Sequence, residues 1–306
     1  MDGPAVSRQL GINILLFGAG GQVGCELRES LASLGTVHAL TRSEADLTDV
    51  DAVRRVIQAL RPAVIVNAAA HTAVDRAEEQ PIEAEAVNAI APGVMAEEAE
   101  RLQAMLIHFS TDYVFDGEGF RPYRETDLPR PLSVYGHTKR AGEEAVIRRS
   151  SRHVVLRTGW VVGVEGRNFV KTILRLAEER DELRVVDDQR GAPTSAALLA
   201  NVTAQLVREW CSRDGDDFPY GLYHVAARGE ATWFEVAWWV LGYAHENGVS
   251  LRAPRDRMVP VSSAEYPALA IRPPYSVLDT GLIRQTFGIT PAAWDAELQK
   301  IMERLL

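Results

Sequence analysis

Three side chains in the middle of the chain could together reduce and protonate a carbonyl group. Tyr135 and Lys139 are four residues apart, which places a phenol and an ammonium on one face of a helix. A tyrosine phenol has a pKa of about 10, and a nearby ammonium would lower it by stabilising the phenolate. Thr111 lies upstream at the expected end of a strand, where its hydroxyl could orient a substrate carbonyl. We therefore predict that Thr111, Tyr135 and Lys139 form a catalytic group, although a Tyr/Lys pair alone is often just an exposed helix pair.

A glycine-rich turn near the N-terminus has the spacing and context of a phosphate-binding site. It reads G-x-x-G-x-x-G, follows the apolar run 12–17 and precedes residues 22–34, where apolar side chains recur at helical spacing. Glycines let the backbone approach a pyrophosphate, and a helix start offers free N–H groups. The alternative is a tight turn without a ligand, but the flanking strand and helix favour dinucleotide binding. The residues expected to contact the dinucleotide here are Gly18, Gly21, Gln22, Val23 and Gly24.

The segment after the second expected strand, 37–40, bears on the choice of cofactor. A carboxylate at this strand end would bind the ribose 2′-hydroxyl of NAD, and none is present. Arg42 lies there instead and could pair with the 2′-phosphate of NADP, although a solvated surface arginine is an equally good interpretation. We expect NADPH as the cofactor, with NADH also accepted, and we expect Asp46 and Leu47 to contact the adenine.

Apolar strands that alternate with helices predict an α/β fold: a Rossmann-type doubly wound parallel sheet with a smaller C-terminal α/β substrate lobe. The expected strands are 12–17, 37–40, 64–66, 105–109 and 154–156. The expected helices are 22–34, 49–60, 82–104 with a kink or boundary at Pro92, 134–149, 168–179 capped by Asn168, 233–243, 282–287 and 292–306, with 252–274 irregular. The expected division is a cofactor domain over 12–158 with about 192–227, a substrate lobe over 159–191 with 228–306, and an N-terminal tail over 1–11.

Composition narrows the class of protein. The chain has 306 residues, 46% of them apolar and 25% charged, which is ordinary for a globular protein. Its net charge of −9 argues against nonspecific nucleic-acid binding. Residues 1–10 contain no apolar run of signal-peptide length, and no stretch is long and apolar enough to span a bilayer. Because Cys25 and Cys211 are the only cysteines, no disulfide framework is possible, and we expect a cytoplasmic protein without membrane or nucleic-acid partners.

These residues resemble the extended short-chain dehydrogenases/reductases, and within them the dTDP-4-dehydrorhamnose reductase family. The most specific motifs are STDYVFDG (110–117) and the end of DDQRGAPT (187–194), whereas the glycine turn and the Tyr/Lys pair are shared across the superfamily. The other motifs, in the family's order, are GAGGQVG (18–24), NAAAHTAVDRAE (67–78), PLSVYGHTK (131–139), RTGWVVG (157–163), NFVKTILRLA (168–177) and RPPYSVLD (272–279). The resemblance covers nearly the whole chain.

The resemblance implies reduction of the C4 ketone of dTDP-4-dehydro-β-L-rhamnose to dTDP-L-rhamnose, the last step of dTDP-rhamnose biosynthesis, with NADPH or NADH. It assigns catalysis to Thr111, Tyr135 and Lys139. The residues it implies at the nicotinamide side are Ala68, Ala69 and His71, with Tyr135 and Lys139 on the ribose. Those it implies at the nucleotide-sugar substrate are Thr111, Asp112, Tyr113, Trp160, Asn168, Phe169 and Lys171. A helix start beside Lys171 independently suits a diphosphate, although an ordinary capped surface helix would look the same.

The chain departs from the family at a metal site. Some bacterial members bind Mg²⁺ through glutamates at a dimer interface, one of them directly before the Leu-Leu that follows GAPT. This chain has Ala197 there, while Glu26 and Glu303 could match the other two glutamates. Losing a carboxylate weakens a site for a hard cation, so we expect no tightly bound Mg²⁺ and no metal-linked dimer. Both a monomer and a homodimer of another kind are left open.

Other conspicuous side chains are interpreted as structural. Three histidines show no metal-ligand arrangement with nearby acids and are expected to be hydrogen-bonded within the fold, namely His71, His108 and His224. Three tryptophans are expected to pack in the core, namely Trp233, Trp238 and Trp239.

Alternative functions are left open by the sequence. A noncatalytic NADP-binding regulatory subunit would keep the fold and the cofactor site, as do relatives of this family that regulate methionine adenosyltransferase. A reductase of a different nucleotide-linked 4-keto sugar would share the catalytic group, because base recognition is spread over the C-terminal lobe. An epimerase would consume no NADPH. A dehydratase would need an added acid/base pair, and Asp112 has no accompanying glutamate, so this alternative is disfavoured.

Overall fold

The computed structural model describes residues 11–213, 217–266 and 268–306, so residues 1–10 of the expected N-terminal tail lie outside the described residues. The strands are β1 (Ile12–Phe17), β2 (Gly35–Leu40), β3 (Val64–Asn67), β4 (Met105–Thr111), β5 (His153–Thr158), β6 (Val161–Val162), β7 (Leu183–Val186), β8 (Arg190–Gly191), β9 (Thr194–Ser195), β10 (Gly221–His224), β11 (Ala231–Thr232) and β12 (Met258–Val261). Six of them form one parallel sheet in the order β10–β5–β4–β3–β1–β2. This architecture confirms the predicted Rossmann-type α/β class.

Helices lie between successive strands along the chain, as expected for a doubly wound sheet. They are α1 (Gln22–Ala32), α2 (Val50–Leu60), α3 (Val74–Glu79), α4 (Pro81–Glu85), α5 (Ala91–Leu102), α6 (Val134–Arg149), α7 (Phe169–Glu179), α8 (Ala196–Ser212), α9 (Trp233–Glu246), α10 (Gly281–Phe287) and α11 (Trp294–Leu305). Short 3₁₀ turns cover Asp112–Val114, Arg255–Arg257 and Ser263–Glu265. In the described part of the chain, none of the helices has the length and apolarity needed to cross a bilayer.

The first strand shows why helices cover both faces of the sheet. Alternate side chains of β1 point in opposite directions, and all four of its last residues are buried. Ile14 and Leu16 pack in one core with residues of α1, α8 and α10. Leu15 and Phe17 pack in a second core with residues of α2 and α5. A strand buried on both faces must be apolar throughout, which is why the run 12–17 could be recognised in the sequence.

The sheet contains one strand that the sequence pattern did not predict. β10 pairs in parallel with β5 and places Leu222 opposite Val155. Only two of its four residues are buried, so its apolar pattern is weak. The assignment of residues 192–227 to the cofactor domain stays a proposal. It is supported by α8, which packs on the sheet, and by β10, which pairs with β5. We also propose that α10 belongs to the cofactor domain and not to the substrate lobe, because its Ile283 and Phe287 pack in the core of the sheet.

The remaining elements form two smaller cores beside the sheet. Residues of α7, α9 and α11 pack together in one, and β7 contributes to the other. β12 pairs in parallel with β7, so the expectation that 252–274 is irregular is wrong for Met258–Val261. A four-residue strand that includes Pro260 is hard to recognise from its sequence. Its extended conformation depends on pairing with β7, which is distant in the chain. These cores support the proposed substrate lobe.

The predicted helix over 82–104 is interrupted rather than simply kinked. A π-helical turn, Ala86–Ile90, joins α4 to α5, and Pro92 lies in the first turn of α5, where proline is tolerated. Such turns insert a residue into a helix and often occur at functional sites. Asn88 lies within this turn and is fully buried.

Charged side chains are buried where α6 packs on β4 and β5. Arg157 donates from Nε and Nη2 to the two carboxylate oxygens of Glu143, each at 2.7 Å. Ser110 donates to the same carboxylate at 2.6 Å, and Arg140 donates to it at 2.9 Å. The Arg157 and Glu143 side chains are 1% and 0% exposed. The carboxylate is therefore fully satisfied, as a buried charge must be.

We predict that Glu143→Ala lowers the free energy of unfolding by about 3–5 kcal/mol, because Arg157 would be left buried without its partner. The matched control is Glu144→Ala on the same helix, whose exposed ion pairs should contribute less than about 1 kcal/mol. Urea denaturation followed by far-ultraviolet circular dichroism measures both. Equal, small losses for the two variants would contradict this account of how α6 is held.

Candidate active site

The glycine turn after β1 is packed too tightly for side chains. A Cβ on Gly18 would come within 2.5 Å of the amide nitrogen of Ala69, just beyond β3. Gly18 also has a φ of +83°, in the left-handed region that favours glycine. A Cβ on Gly24 would overlap the carbonyl oxygen of Gly18. The turn is thus bare backbone, held between the start of α1 and the segment that follows β3.

Hydrogen bonds leave the start of α1 open to a ligand. The N–H groups of Gly18 and Ala19 donate to the carbonyl oxygen of Leu40 at 3.0 Å, which ties the turn to β2. Gly21 is the N-cap of α1 and has no side chain to bond the first turn. The N–H groups of residues 22–24 therefore have no acceptor within the helix. This arrangement fits a pyrophosphate at the residues that the sequence predicted.

The segment after β3 is held in place by a residue that sequence reasoning missed. Asn88 accepts the N–H of His71 at 2.8 Å and donates to the His71 carbonyl and to Thr138 Oγ1, both at 3.1 Å. It thereby joins the predicted nicotinamide side to α6. The imidazole Nδ1 of His71 is buried without a hydrogen-bond partner, so the expectation of a bonded ring is wrong for this nitrogen. An unpaired buried nitrogen is suited to a polar group of a bound cofactor.

Helix α6 begins where Tyr135 reaches the carboxyl ends of the strands. Ser133 caps the helix by accepting the N–H of Gly136 at 3.2 Å, and Glu78 accepts the N–H of Val134 at 2.9 Å. Tyr135 is therefore in the first turn, and its phenol lies close enough to Thr111, at the end of β4, for the two to interact.

Lys139 lies one turn further along α6 and is 2% exposed. Its Nζ donates to the carbonyl oxygen of Phe109 at 2.6 Å and lies 3.4 Å from Nε2 of His108. The structure thus brings the predicted group of Thr111, Tyr135 and Lys139 to the same end of β4.

Burial sets the proton affinities of this group. It lowers the pKa of Lys139 to about 8 and raises the pKa of Tyr135 to about 12, where the interaction with Thr111 acts in the opposite direction. The expected lowering of the Tyr135 pKa by the ammonium is not found, because Nζ of Lys139 is directed at the carbonyl of Phe109. Tyr135 therefore keeps its proton at neutral pH, as a proton donor must.

The residues that follow β4 surround the hydroxyl of Thr111. This hydroxyl donates to Oδ1 of Asp112 at 3.0 Å and accepts the N–H of Tyr113 at 3.2 Å. Burial raises the pKa of Asp112 to about 6, and a hydrogen bond from Ser276 opposes this shift. The ring of Tyr113 packs edge-on against Tyr135, with centroids 5.7 Å apart. Two of the predicted substrate residues, Asp112 and Tyr113, thus lie beside the catalytic group.

Aromatic rings form a stack at the start of the C-terminal lobe. Trp160 has a φ of +50°, and its ring lies parallel to that of Trp233 with centroids 3.5 Å apart. Phe169 also contacts Trp233, at 4.5 Å. Trp233 packs on the lobe as expected, but the expectation of core packing is wrong for Trp238, which is 42% exposed beneath the guanidinium of Arg255. A bulky residue in the left-handed region is rare and often marks a functional site.

Gln22 connects the glycine turn to the start of α7. Its Oε1 accepts the N–H of Gly163 at 2.8 Å and Nδ2 of Asn168 at 2.9 Å. Asn168 caps α7, as predicted, by accepting the N–H of Lys171 at 3.0 Å. Nζ of Lys171 donates to the carbonyl oxygen of Val164 at 2.9 Å. The first residue of the predicted phosphate-binding helix therefore positions the segment implied at the substrate diphosphate.

The residues predicted to choose the cofactor lie after β2. The side chain of Arg42 is 72% exposed and pairs with Glu83 at 3.0 Å and with Asp46 at 3.9 Å. Asp46 accepts the N–H and the hydroxyl of Thr48, each at 2.9 Å, and Leu47 is buried. A 2′-phosphate would therefore share Arg42 with two carboxylates.

The two glutamates considered for a metal are bonded to other side chains within the chain. Glu26 pairs with Arg304 at 2.8 Å, and Glu303 accepts a hydrogen bond from Gln299. Within residues 11–213, 217–266 and 268–306, no group of three His, Cys, Asp or Glu side chains could hold a metal ion. The absence of tightly bound Mg²⁺ stays a prediction.

The sheet order, the open helix start and the Thr/Tyr/Lys group define an NAD(P)-dependent oxidoreductase of the short-chain type. The model of the RmlD substrate binding domain family matches residues 12–306, and the chain belongs to this family, that of the dTDP-4-dehydrorhamnose reductases. The dTDP-4-dehydrorhamnose reductase of Escherichia coli (strain K12) is 42% identical over 298 residues, which cover 96% of this chain and 98% of the relative.

Two solved structures are similar to the whole chain. A dTDP-4-dehydrorhamnose reductase from Clostridium acetobutylicum superposes with a TM-score of 0.88 at 35% identity and covers 96% of this chain and 99% of its own. The reductase of Bacillus anthracis, solved in complex with NADP, has a TM-score of 0.86 at 32% identity, with the same coverage. These matches confirm the resemblance found in the motifs.

We predict that Gly24→Ala weakens NADPH binding at least about tenfold, because the new methyl group would displace the Gly18 carbonyl and distort the turn. Gly20→Ala is the matched control, since its Cβ would meet nothing closer than the Thr41 methyl at 3.7 Å. Fluorescence titration with NADPH compares the two variants. Similar affinities for both would show that the close packing of Gly24 is not needed for binding.

We predict that Arg42→Ala weakens NADPH binding about tenfold and leaves NADH binding nearly unchanged, because only NADPH carries the 2′-phosphate. Glu83→Gln should act in the opposite sense, strengthening NADPH binding by removing a competing carboxylate. Titrations with both nucleotides measure the ratio of the two dissociation constants. An unchanged ratio in Arg42→Ala would exclude the contact with the 2′-phosphate.

Proposed function

We propose that this protein reduces the C4 ketone of dTDP-4-dehydro-β-L-rhamnose to dTDP-L-rhamnose, with NADPH as the expected reductant and NADH also accepted. The observation that carries the proposal is the placement of Tyr135 next to Thr111 and one helical turn from the buried Lys139, at the same sheet edge as the glycine turn. Relatives that share nearly the full length carry the name of this reductase, which supports the substrate.

The cofactor residues provide backbone, shape and charge. NADPH, when bound, supplies the hydride, and the residues proposed to hold it are Gly18, Gly21, Gln22, Val23, Gly24, Arg42, Asp46, Leu47, Ala68, Ala69, His71, Tyr135 and Lys139. The bare turn accommodates a pyrophosphate, and the free N–H groups of α1 neutralise part of its charge. Nδ1 of His71 offers a polar contact on the nicotinamide side.

The proton is proposed to come from Tyr135. Its pKa of about 12 keeps the phenol protonated, so it can donate to the carbonyl oxygen as negative charge develops there. Thr111 lies beside this phenol, and its hydroxyl, which donates to Asp112 in this structure, would turn to donate to the same carbonyl oxygen when the substrate is bound. Lys139, one turn further along α6, is proposed to hold the ribose of NADPH beside this phenol.

The substrate is proposed to lie between the catalytic group and α7. Asp112 and Tyr113 would contact the sugar, and the stacked ring of Trp160 would form a wall of its pocket. Trp233, which stacks on Trp160, could not be assigned to the site from the sequence. The diphosphate is proposed to contact the start of α7, through Asn168, Phe169 and Lys171.

We further propose a cytoplasmic enzyme that takes a nucleotide-sugar substrate and binds neither nucleic acid nor membrane. Two free cysteines, Cys25 and Cys211, and the net charge of −9 support this proposal. A monomer or a homodimer without a bridging metal is the proposed assembly.

The direct test is NADPH oxidation followed by absorbance, with dTDP-4-dehydro-β-L-rhamnose generated in the cuvette. The expected result is rapid oxidation that yields dTDP-L-rhamnose. Oxidation only with a UDP- or GDP-linked keto sugar would assign the same chemistry to another substrate. NADPH binding without turnover of any of these sugars would refute the enzyme and favour a regulatory subunit.

We predict that Tyr135→Phe lowers kcat by about 10²–10⁴-fold, because the substrate oxygen loses its proton donor. NADPH should still bind with nearly the wild-type dissociation constant. Tyr243→Phe, which removes a phenol from α9 in the C-terminal lobe, is the control and should leave kcat unchanged. Near-normal turnover by Tyr135→Phe would refute the assignment of the proton donor.

A further inference from the structure

A histidine outside the catalytic group faces the catalytic lysine inside the protein. His108 lies on β4 and is fully buried. Its Nε2 is 3.4 Å from Nζ of Lys139, and its Nδ1 is 3.1 Å from the side-chain nitrogen of Asn67 at the end of β3. Both ring nitrogens therefore face nitrogen atoms that carry protons.

The direction of this hydrogen-bond chain is set at its other end. The side-chain oxygen of Asn67 accepts the N–H of Ala69 at 3.1 Å, so the amide nitrogen of Asn67 must face His108 and donate to Nδ1. Burial and the neighbouring Lys139 charge hold the pKa of His108 well below its usual range, so the ring is neutral. A neutral imidazole has one N–H, and here it must be on Nε2, pointing at Lys139.

This N–H distinguishes the two protonation states of Lys139. A neutral amine has a lone pair that can accept the bond from His108, whereas an ammonium has none. The carbonyl oxygen of Phe109, at 2.6 Å from Nζ, accepts a bond from either state. Among the charged groups near Lys139, Glu143 on α6 favours the ammonium, but its carboxylate is already bonded to Arg157 of β5. His108 thus opposes the charge on Lys139, in the same sense as burial does.

We propose that Asn67 and His108 are positioning residues for Lys139. Their hydrogen bonds run from the Ala69 amide, which packs against Gly18 in the cofactor turn, to Nζ of Lys139. These bonds favour the neutral amine of Lys139 over the ammonium. Lys139 would then regain its full charge by donating to a ribose hydroxyl of the bound cofactor. The role of Lys139 rests on the proposed function, but neither test below requires the sugar substrate.

The first test is the tautomer of His108 in the wild-type protein, read from the ¹⁵N shifts of labelled histidine at neutral pH. We expect its proton on Nε2. His153 and His224 are internal references with the opposite tautomer, because their Nδ1 atoms face the carbonyl oxygens of Ser150 at 2.6 Å and Tyr123 at 3.0 Å. A His108 proton on Nδ1, or protons on both nitrogens, would overturn the proposal. Because no substitution is needed, this test does not depend on the folding of a variant.

The second test is the pH dependence of NADPH binding to His108→Gln. In the wild-type protein, affinity should fall above about pH 8 as Lys139 loses its charge. A glutamine oxygen can accept a bond from the ammonium, so the fall should move up by about 1 pH unit, a tenfold change in the Lys139 proton affinity. His153→Gln on the neighbouring strand is the matched control and should keep the wild-type profile. An unchanged or lowered midpoint in His108→Gln would refute the positioning role, whereas absence of sugar reduction would refute only the proposed function.

Discussion

The active site depends on the burial of charge between α6 and the carboxyl halves of β4 and β5. Arg157 and Glu143 are removed from water together, and the carboxylate also accepts bonds from Ser110 and Arg140. Separating the pair would leave a charge buried without its partner, so the helix has essentially one position on the sheet. One turn earlier in α6, that position brings Lys139 against the backbone of β4, and a further turn earlier it brings Tyr135 against Thr111.

A few close contacts and hydrogen bonds link the cofactor turn to α6 and to the start of α7. Gly18 touches the backbone beyond β3, Asn88 links that backbone to α6, and Gln22 holds the start of α7. Each connection joins one proposed binding element to the next through a few polar atoms. The stacked Trp160 and Trp233 complete the arrangement on the side of the C-terminal lobe. Small changes at any of these contacts would therefore move reacting groups relative to one another, although the sheet itself would be unaffected.

Local patterns made much of this protein predictable from its sequence. The continuous apolar run of β1, the glycine turn and the cap at Asn168 each reflect interactions between residues close in the chain. The positions of Tyr135 and Lys139 could be inferred for the same reason.

Long-range partners could not be predicted in this way. The strands β10 and β12 are short and depend on distant neighbours for their order. The bonds of Asn88 and the bridge from Gln22 to Asn168 join residues 50 and 146 positions apart, so no local spacing reveals them. The pKa of Tyr135 could not be predicted either, since it depends on burial and on where Nζ of Lys139 points. These pairings, hydrogen bonds and pKa shifts exist only once the distant segments are brought together by folding.

In the proposed reaction, this sheet edge brings a hydride donor to a ketone carbon and the Tyr135 proton to its oxygen. The most direct measurement uses NADPH deuterated at the transferred position of C4, with the product sugar examined by NMR. We expect one deuterium at C4 of the sugar of dTDP-L-rhamnose and stoichiometric loss of NADPH. A product without deuterium at C4, or turnover without net NADPH oxidation, would contradict it.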